Sequence, residues 1–418
     1  MKILFVHQNF PGQFPHLAPA LVARGHQVLA LTAETNTRPS PVKVIRYRKP
    51  EPVTISQPLG RMYAECAERG ARAALAAQQM RDRHGYVPEV IFGHSGWGET
   101  LFLKEVWPEA RLLIYAELMY RTSGLDTDFD PEFRRDGLGA RISTAARSAH
   151  LVQAIVQADG ALAPTAFQAA TFPPELRAKI RIIHDGIDTA KVRPNPAAVL
   201  EIPGTGIVFR PGDEVISFVS RSLEPYRGYH SFMRALPAVL AARPKAHVVI
   251  VGDEGQSYGP PPRDGISWKA RYLDEVRDRL DLGRVHFLGR VPYATYLSLL
   301  QVSRVHAYLT YPFVLSWSCL EALGAGAMVV ASDTAPVREV ITDGENGRLV
   351  DFFDIAGWSA ALTEALANPE AAAPLREAAR QGVIERYDLA TACLPQLIDF
   401  VESTGKWRSV GDIWAEPL

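Results

Sequence analysis

Arg221, Arg227, Glu321 and His94 are the residues of this sequence whose types and surroundings best suit chemistry. Both arginines lie in Ser220-Arg221-Ser222-Leu223-Glu224-Pro225-Tyr226-Arg227-Gly228, directly after the apolar run Val215 to Val219. A guanidinium stays charged and offers a planar fork to paired oxygens, so two near one strand end suit a diphosphate, including one that departs, without proton transfer. Plainly read, they are a pair of solvated surface arginines. The stretch Pro312-Phe313-Val314-Leu315-Ser316-Trp317-Ser318-Cys319-Leu320-Glu321 reads as a loop entering a helix that opens between two apolar strands. Such a helix start offers unpaired N–H groups and partial positive charge to phosphates, and Glu321 in its first turn can receive ribose hydroxyls. Ser318 and Glu321 also stand three apart, as in a capping box, in which case Glu321 serves only its own helix.

Three further candidates follow strands. His94, in Gly93-His94-Ser95-Gly96-Trp97-Gly98, comes after Val90 to Phe92 and can donate a hydrogen bond to a sugar hydroxyl near neutral pH. Glu117, after Leu112 to Tyr115, is a carboxylate suited to acceptor hydroxyls, or else an ordinary cap or salt-bridge partner. Gly12, in the first turn His7-Gln8-Asn9-Phe10-Pro11-Gly12-Gln13, lets the backbone approach an anion closely, or simply makes a tight turn. No GxGxxG follows the first strand and no GxxxxGK[ST] exists, which disfavours a dinucleotide oxidoreductase and a P-loop NTPase.

The elements that must position these residues are short apolar runs alternating with helical stretches. Ile3 to Val6, Gln27 to Thr32, Val42 to Tyr47, Val90 to Phe92 and Leu112 to Tyr115 read as buried parallel strands. The pattern restarts with Val215 to Ser220, His247 to Val251, Val285 to Leu288, Val305 to Leu309, Met328 to Ala331 and Arg348 to Val350. A chain of 418 residues with 47% hydrophobic content supports two cores, so the expectation is two doubly wound α/β domains. Residues 1–193 form the first, 213–399 the second, and 194–212, with four prolines, the linker between them; a helix at about 400–418 returns to the first domain. Open parallel sheets bind ligands beyond their strands' carboxyl ends, which places the site in a cleft between facing domains. The long connection from Gly252 to Lys269, rich in Gly and Pro, is read as a mobile flap.

Composition narrows the function classes. A net charge of −1 gives no global field for nucleic acid or an anionic membrane. Three cysteines, with no CxxC and no clustered His/Cys spacing, disfavour a disulfide framework and a structural zinc and fit a reducing compartment. With no signal-like opening and no membrane-length apolar stretch, the expected location is the cytoplasm. Arg121, Arg134, Arg135, Arg141 and Arg147 leave room for peripheral contact at the inner membrane face.

Taken in order, these pieces resemble the retaining glycosyltransferases of family 4, which have the GT-B fold of two facing Rossmann-like domains. The resemblance runs through the Pro11-Gly12 turn, Gly25-His26-Gln27-Val28, the His94 segment, Ile183-His184-Asp185-Gly186-Ile187-Asp188, Arg221 to Gly228, Val251-Gly252-Asp253, Phe287-Leu288-Gly289-Arg290 and the Glu321 helix. It implies that Glu321 holds the ribose, that the backbone of Ser316, Trp317, Ser318 and Cys319 holds the phosphates, and that Arg290 and Val291 border the base. It further implies that Arg221 and Arg227 neutralise the diphosphate, that Gly12 closes over the phosphates and that His94 lies near the transferred sugar. Two departures stand out. Phe313 occupies the position, eight before Glu321, where the family commonly has a glutamate; and Arg227 replaces a lysine and follows Arg221 by six residues rather than five.

The resemblance implies a metal-independent hexosyltransferase without a cofactor, using a nucleoside diphosphate sugar as co-substrate. The acceptor would be a glycan, a lipid-linked sugar or a small molecule, with nucleic acid excluded as a partner. A donor phosphate oxygen would take the acceptor's proton on the face from which the leaving group departs. Two alternatives remain at this point: a non-catalytic glycan-binding or assembly partner, which the missing carboxylate at Phe313 would permit, and a nucleotide-sugar epimerase, which needs no acceptor.

Overall fold

The computed structural model describes residues 1–403. It contains two compact units, one formed by residues 1–186 together with the chain from Ala390, the other by Ile187–Leu389.

The first unit is built on a seven-stranded parallel sheet of β1 (Lys2–Val6), β2 (Gln27–Ala33), β3 (Lys43–Tyr47), β4 (Val90–His94), β5 (Arg111–Tyr115), β6 (Gly160–Ala163) and β7 (Ile180–Ile182). Its order is β3-β2-β1-β4-β5-β6-β7, with Ile3 opposite Val28 on one side and Val90 on the other. Ile3, Leu4, Phe5 and Val6 have no exposed surface, because helices cover both faces of the sheet, and this explains the unbroken apolar run. One face packs Phe5, Phe14, Phe92 and Phe400; the other packs Leu4, Ile91, Leu112 and Ile114.

Phe400 belongs to the helix Leu394–Glu402, whose Leu397, Phe400 and Val401 close that first face. The returning helix thus begins several residues before 400, and the expected continuation over 404–418 lies outside the described residues. Arg111 donates to the carbonyls of Val401 and Ser403, setting a cation at the helix's negative end. Glu402 accepts from Arg24 Nε at 2.6 Å and lies 2.7 Å from His26 Nε2. These partners, Arg24 first, hold the Glu402 carboxyl down from 4.5 to about 2. A depressed carboxyl stabilises the fold above its unfolded value and loses that contribution as pH falls through the folded one. The Glu402→Gln variant should therefore melt roughly 1–2 °C below the wild type at pH 6, and the gap should close by pH 2 in a melting series.

The second unit starts with an antiparallel hairpin, β8 (Leu200–Glu201) and β9 (Val208–Phe209). A six-stranded parallel sheet follows: β10 (Val215–Ser222), β11 (His247–Asp253), β12 (Val285–Gly289), β13 (Val305–Tyr308), β14 (Met328–Ser332) and β15 (Arg348–Val350), in the order β12-β11-β10-β13-β14-β15. The segment 194–212, expected as a linker, belongs to this unit. Its Ala198, Leu200, Ile202 and Phe209 are buried with Val215, Val249 and Leu299, so its prolines punctuate a packed hairpin and the units meet in sequence at Gly186 and Ile187. The first domain therefore ends before 193 and the second before 399.

Strand order reverses between β1 and β4 in one sheet and between β10 and β13 in the other. The connections leaving these four strands are the ones that open outward at the carboxyl edge of each sheet. His94 and Arg221 stand at the ends of β4 and β10, and the connections that follow the strands carry Gly12, Arg227 and Ser316.

Candidate active site

In the first unit, β4 delivers His94 with its side chain 2% exposed. Nδ1 accepts the Gly96 N–H at 2.9 Å, which places the neutral ring's proton on Nε2. The ring stacks on Tyr115 at 5.3 Å, and Nε2 stands 3.6 Å from Glu117 Oε2, so the structure brings His94 and Glu117 together. Nε2 is buried and makes no hydrogen bond among the described residues.

The turn after β1 is built on a second histidine, which the sequence reading passed over. His7 is buried, its Nδ1 accepts the Asn9 N–H at 2.9 Å, and its ring lies edge-on to His94 at 5.6 Å. Burial, aided by His94 and Arg38, pushes its pKa down to about 3, so it stays neutral. Gly12 has φ +53°, and a Cβ there would sit 2.7 Å from His7 Nε2, so only glycine fits. The available signal was a histidine one residue past a strand, the kind of position that drew attention to His94.

In the second unit the two arginines differ sharply. Arg221, the penultimate residue of β10, is exposed, and no carboxylate pairs with it among the described residues. Arg227 is buried; its Nη1 donates to Thr310 Oγ1 at 2.7 Å and the Val314 carbonyl at 3.0 Å, both in the connection leaving β13. Burial alone would lower its pKa, but the Tyr308 and Tyr258 hydroxyls and Glu224 raise it above its ordinary value. The rings of Tyr258 and Phe313 lie 5.1 and 5.9 Å from its central carbon. Phe313 itself packs edge-to-face against Tyr226 at 5.6 Å and Tyr258 at 5.1 Å.

The helix Trp317–Ala325 corrects two expectations. Ser316 is its N-cap, with Oγ accepting the Ser318 N–H at 3.3 Å, so Ser318 and Glu321 form no capping box and Glu321 opens the second turn. Three amides at this helix start are paired rather than free: besides that of Ser318, the Ser316 N–H donates to Tyr308 Oη at 2.9 Å and the Cys319 N–H to the Ser316 carbonyl at 3.1 Å. Cys319 is buried, and burial pushes its thiol well up, so it stays protonated; Trp317 is 41% exposed. Glu321 accepts from Tyr293 Oη at 2.8 Å and Tyr296 Oη at 2.6 Å. Burial and Glu321 push both phenols well above their ordinary range, so they remain donors, and each carboxylate oxygen keeps a lone pair for a vicinal diol. Both tyrosines, three apart at the start of the helix Tyr293–Val302, went unread in the sequence.

Arg290, 74% exposed, is engaged by Asp253 at 2.6 Å, while Val291 is half-buried against the core of the unit. The Gly252 to Lys269 connection is docked: the fully buried Glu224 accepts from the N–H groups of Tyr258 and Gly259 at 3.1 Å.

Residues 24–192 match the model described as glycosyl transferase family 4 group, and residues 207–382 match glycosyl transferases group 1. The chain belongs to glycosyltransferase family 4. This glycosyltransferase is 24% identical over 417 residues to a glycogen synthase of Mycobacterium tuberculosis, covering 94% of its own length and 92% of the relative. It is 32% identical over 199 residues, or 46% of each chain, to a phosphatidyl-myo-inositol mannosyltransferase of Mycolicibacterium smegmatis. The solved structure of Anabaena HepE in complex with UDP and glucose superposes with a TM-score of 0.67 at 18% identity, covering 96% of this glycosyltransferase and 98% of HepE. The sucrose-phosphate synthase of Thermosynechococcus elongatus superposes with a TM-score of 0.68 at 16% identity and the same coverage. These likenesses give the glycosyltransferase its fold, GT-B.

Proposed function

We propose that this glycosyltransferase moves a hexose from a nucleoside diphosphate sugar to a hydroxyl of a glycan, a lipid-linked sugar or a small molecule, with retention and without a metal. The observation that carries the reading is the Glu321 carboxylate, fixed by Tyr293 and Tyr296 with capacity left for the two hydroxyls of a ribose. HepE is described in complex with UDP and glucose, and the relatives are named as a glycogen synthase and a mannosyltransferase, which supports a nucleotide-sugar donor.

In this reading Arg221 and Arg227 stabilise the departing diphosphate, helped by the positive end of the helix at Ser316, Trp317, Ser318 and Cys319. Arg290 and Val291 border the base, Gly12 approaches the phosphates, and His94 donates its Nε2–H to the transferred sugar. Glu117 receives an acceptor hydroxyl. The acceptor oxygen attacks the anomeric carbon as the bond to the diphosphate breaks, and the acceptor's proton passes to a donor phosphate oxygen. The reading includes a cytoplasmic location with peripheral contact at the inner membrane face, supported by exposed Arg121, Arg134, Arg135 and Arg141 beside exposed Leu138 and Ile142.

Thermal shift against UDP, GDP, ADP and TDP tests the donor. One nucleotide at about 100 times its Kd should raise stability by roughly 2.7 kcal/mol, and Glu321→Ala should abolish most of that rise. Transfer with the matching donor should persist in EDTA and require an acceptor. No shift with any of the four, or donor conversion without an acceptor, sinks the proposal.

A further inference from the structure

We propose that Glu224 and Tyr258 are positioning residues: they latch residues 254–267 over Arg227, so that a donor diphosphate reaches this guanidinium only by displacing Tyr258. The inference rests on the reading of Arg227 as a ligand of the diphosphate.

Three residues of the turn between the two arginines hold this strap. Ser222 Oγ lies 2.7 Å from Ser257 Oγ. Glu224, with no exposed surface, accepts the Tyr258 N–H at 3.1 Å on Oε1 and the Gly259 N–H at 3.1 Å on Oε2. Tyr226 lies beneath Gly259, where an added Cβ would stand 3.1 Å from the ring. The strap's base is tied separately, by Lys269 to Glu254 at 2.7 Å and by Arg271 to Asp264 at 2.6 Å. Its tip can therefore lift while its base stays closed.

The latch costs something in each state. A buried carboxylate is tolerated when hydrogen bonds replace its water, and for Glu224 the strap amides are those bonds. Arg227 is the neighbouring cation: its Nη1 is taken by Thr310 and Val314, the Tyr258 hydroxyl is another partner, the Tyr258 ring stands 5.1 Å from its central carbon, and the residue is only 6% exposed, so the strap covers the approach of an anion to it. Tyr258 also closes the aromatic wall with Phe313 and Tyr226, so the ring that covers Arg227 is held on three sides. A diphosphate that takes over from the phenol frees this ring and lifts the amides from Glu224. The next three residues, Pro260, Pro261 and Pro262, carry no N–H and are conformationally stiff, so the tip would move as a unit.

Amide hydrogen exchange and binding test this with UDP, the other nucleoside diphosphates and inorganic pyrophosphate as probes. The amides of Tyr258 and Gly259 should be slow in the free protein and about tenfold faster in the nucleotide-bound one. Glu224→Gln and Tyr258→Ala should bind the nucleotide roughly three- to tenfold more tightly, because the binding-competent fraction rises, and should turn over more slowly. Tyr258→Ala keeps the backbone N–H groups and so serves where Glu224→Gln fails to fold. A merely structural role would weaken binding in both variants. Binding with the two amides unchanged or slowed, or variants that bind no more tightly than wild type, overturns the latch alone. Failure of every probe to bind the wild type overturns the donor reading and the latch with it.

Discussion

Arg221→Ala is expected to lower kcat by about 10²–10³, roughly 2.7–4 kcal/mol of barrier, while leaving the melting temperature where it is. The two halves of this expectation come from one fact: Arg221 is an exposed cation without a carboxylate partner among the described residues. Removing it breaks no ion pair and opens no cavity, so nothing in the folded state resists the change. In the reaction, however, negative charge gathers on the leaving diphosphate as the sugar bond breaks, and a cation prearranged at the end of β10 interacts more strongly with that state than with the bound donor. The loss should fall on kcat more than on KM, and steady-state kinetics with the donor varied separate the two. An unchanged kcat would return Arg221 to the solvated surface.

What the sequence made legible follows from how each feature is held. The central strands could be read because both faces of both sheets are covered, which makes Ile3 to Val6 apolar without interruption and leaves a single polar residue, the buried Ser217 paired with His306, inside Val215 to Val219. Gly160–Ala163 and Ile180–Ile182 could not, being short and, in the first case, made of small residues that carry little strand preference. The hairpin at Leu200 and Phe209 lay among prolines, whose effect on the backbone is local and whose neighbours' burial is not. At the site, residue types and order pointed to Arg227 and Glu321, but their environments come from elsewhere in the chain. Tyr293 and Tyr296 reach Glu321 from the helix after β12, and Thr310, Val314 and Tyr258 reach Arg227 from two separate connections. Phe313 shows the limit in the other direction. Its apolar side chain looked like a missing hydrogen bond, whereas the structure uses it as a wall shared by Tyr226, Tyr258 and Arg227.

Arg227 should behave differently from Arg221 because its charge is inside. Arg227→Ala removes the donor for Thr310 Oγ1 and the Val314 carbonyl, strips the buried Glu224 of its neighbouring cation and leaves a void under Phe313 and Tyr258. A void of this size together with two orphaned buried acceptors should cost roughly 3–5 kcal/mol, so urea denaturation should show a midpoint well below wild type, together with loss of transfer. Arg227→Lys is the informative companion. It keeps the charge beside Glu224 but replaces the planar fork with a point charge that cannot reproduce Arg227's set of contacts. It should recover most of the stability and only part of the rate. A double variant carrying Arg221→Ala and Arg227→Lys then separates the two contributions. In stability the changes should add, since one site is exposed and the other enclosed; in kcat they should not, since both cations act on the same departing charge. Additive losses in kcat would mean that the two arginines serve different steps, and would remove the basis for placing them on one diphosphate.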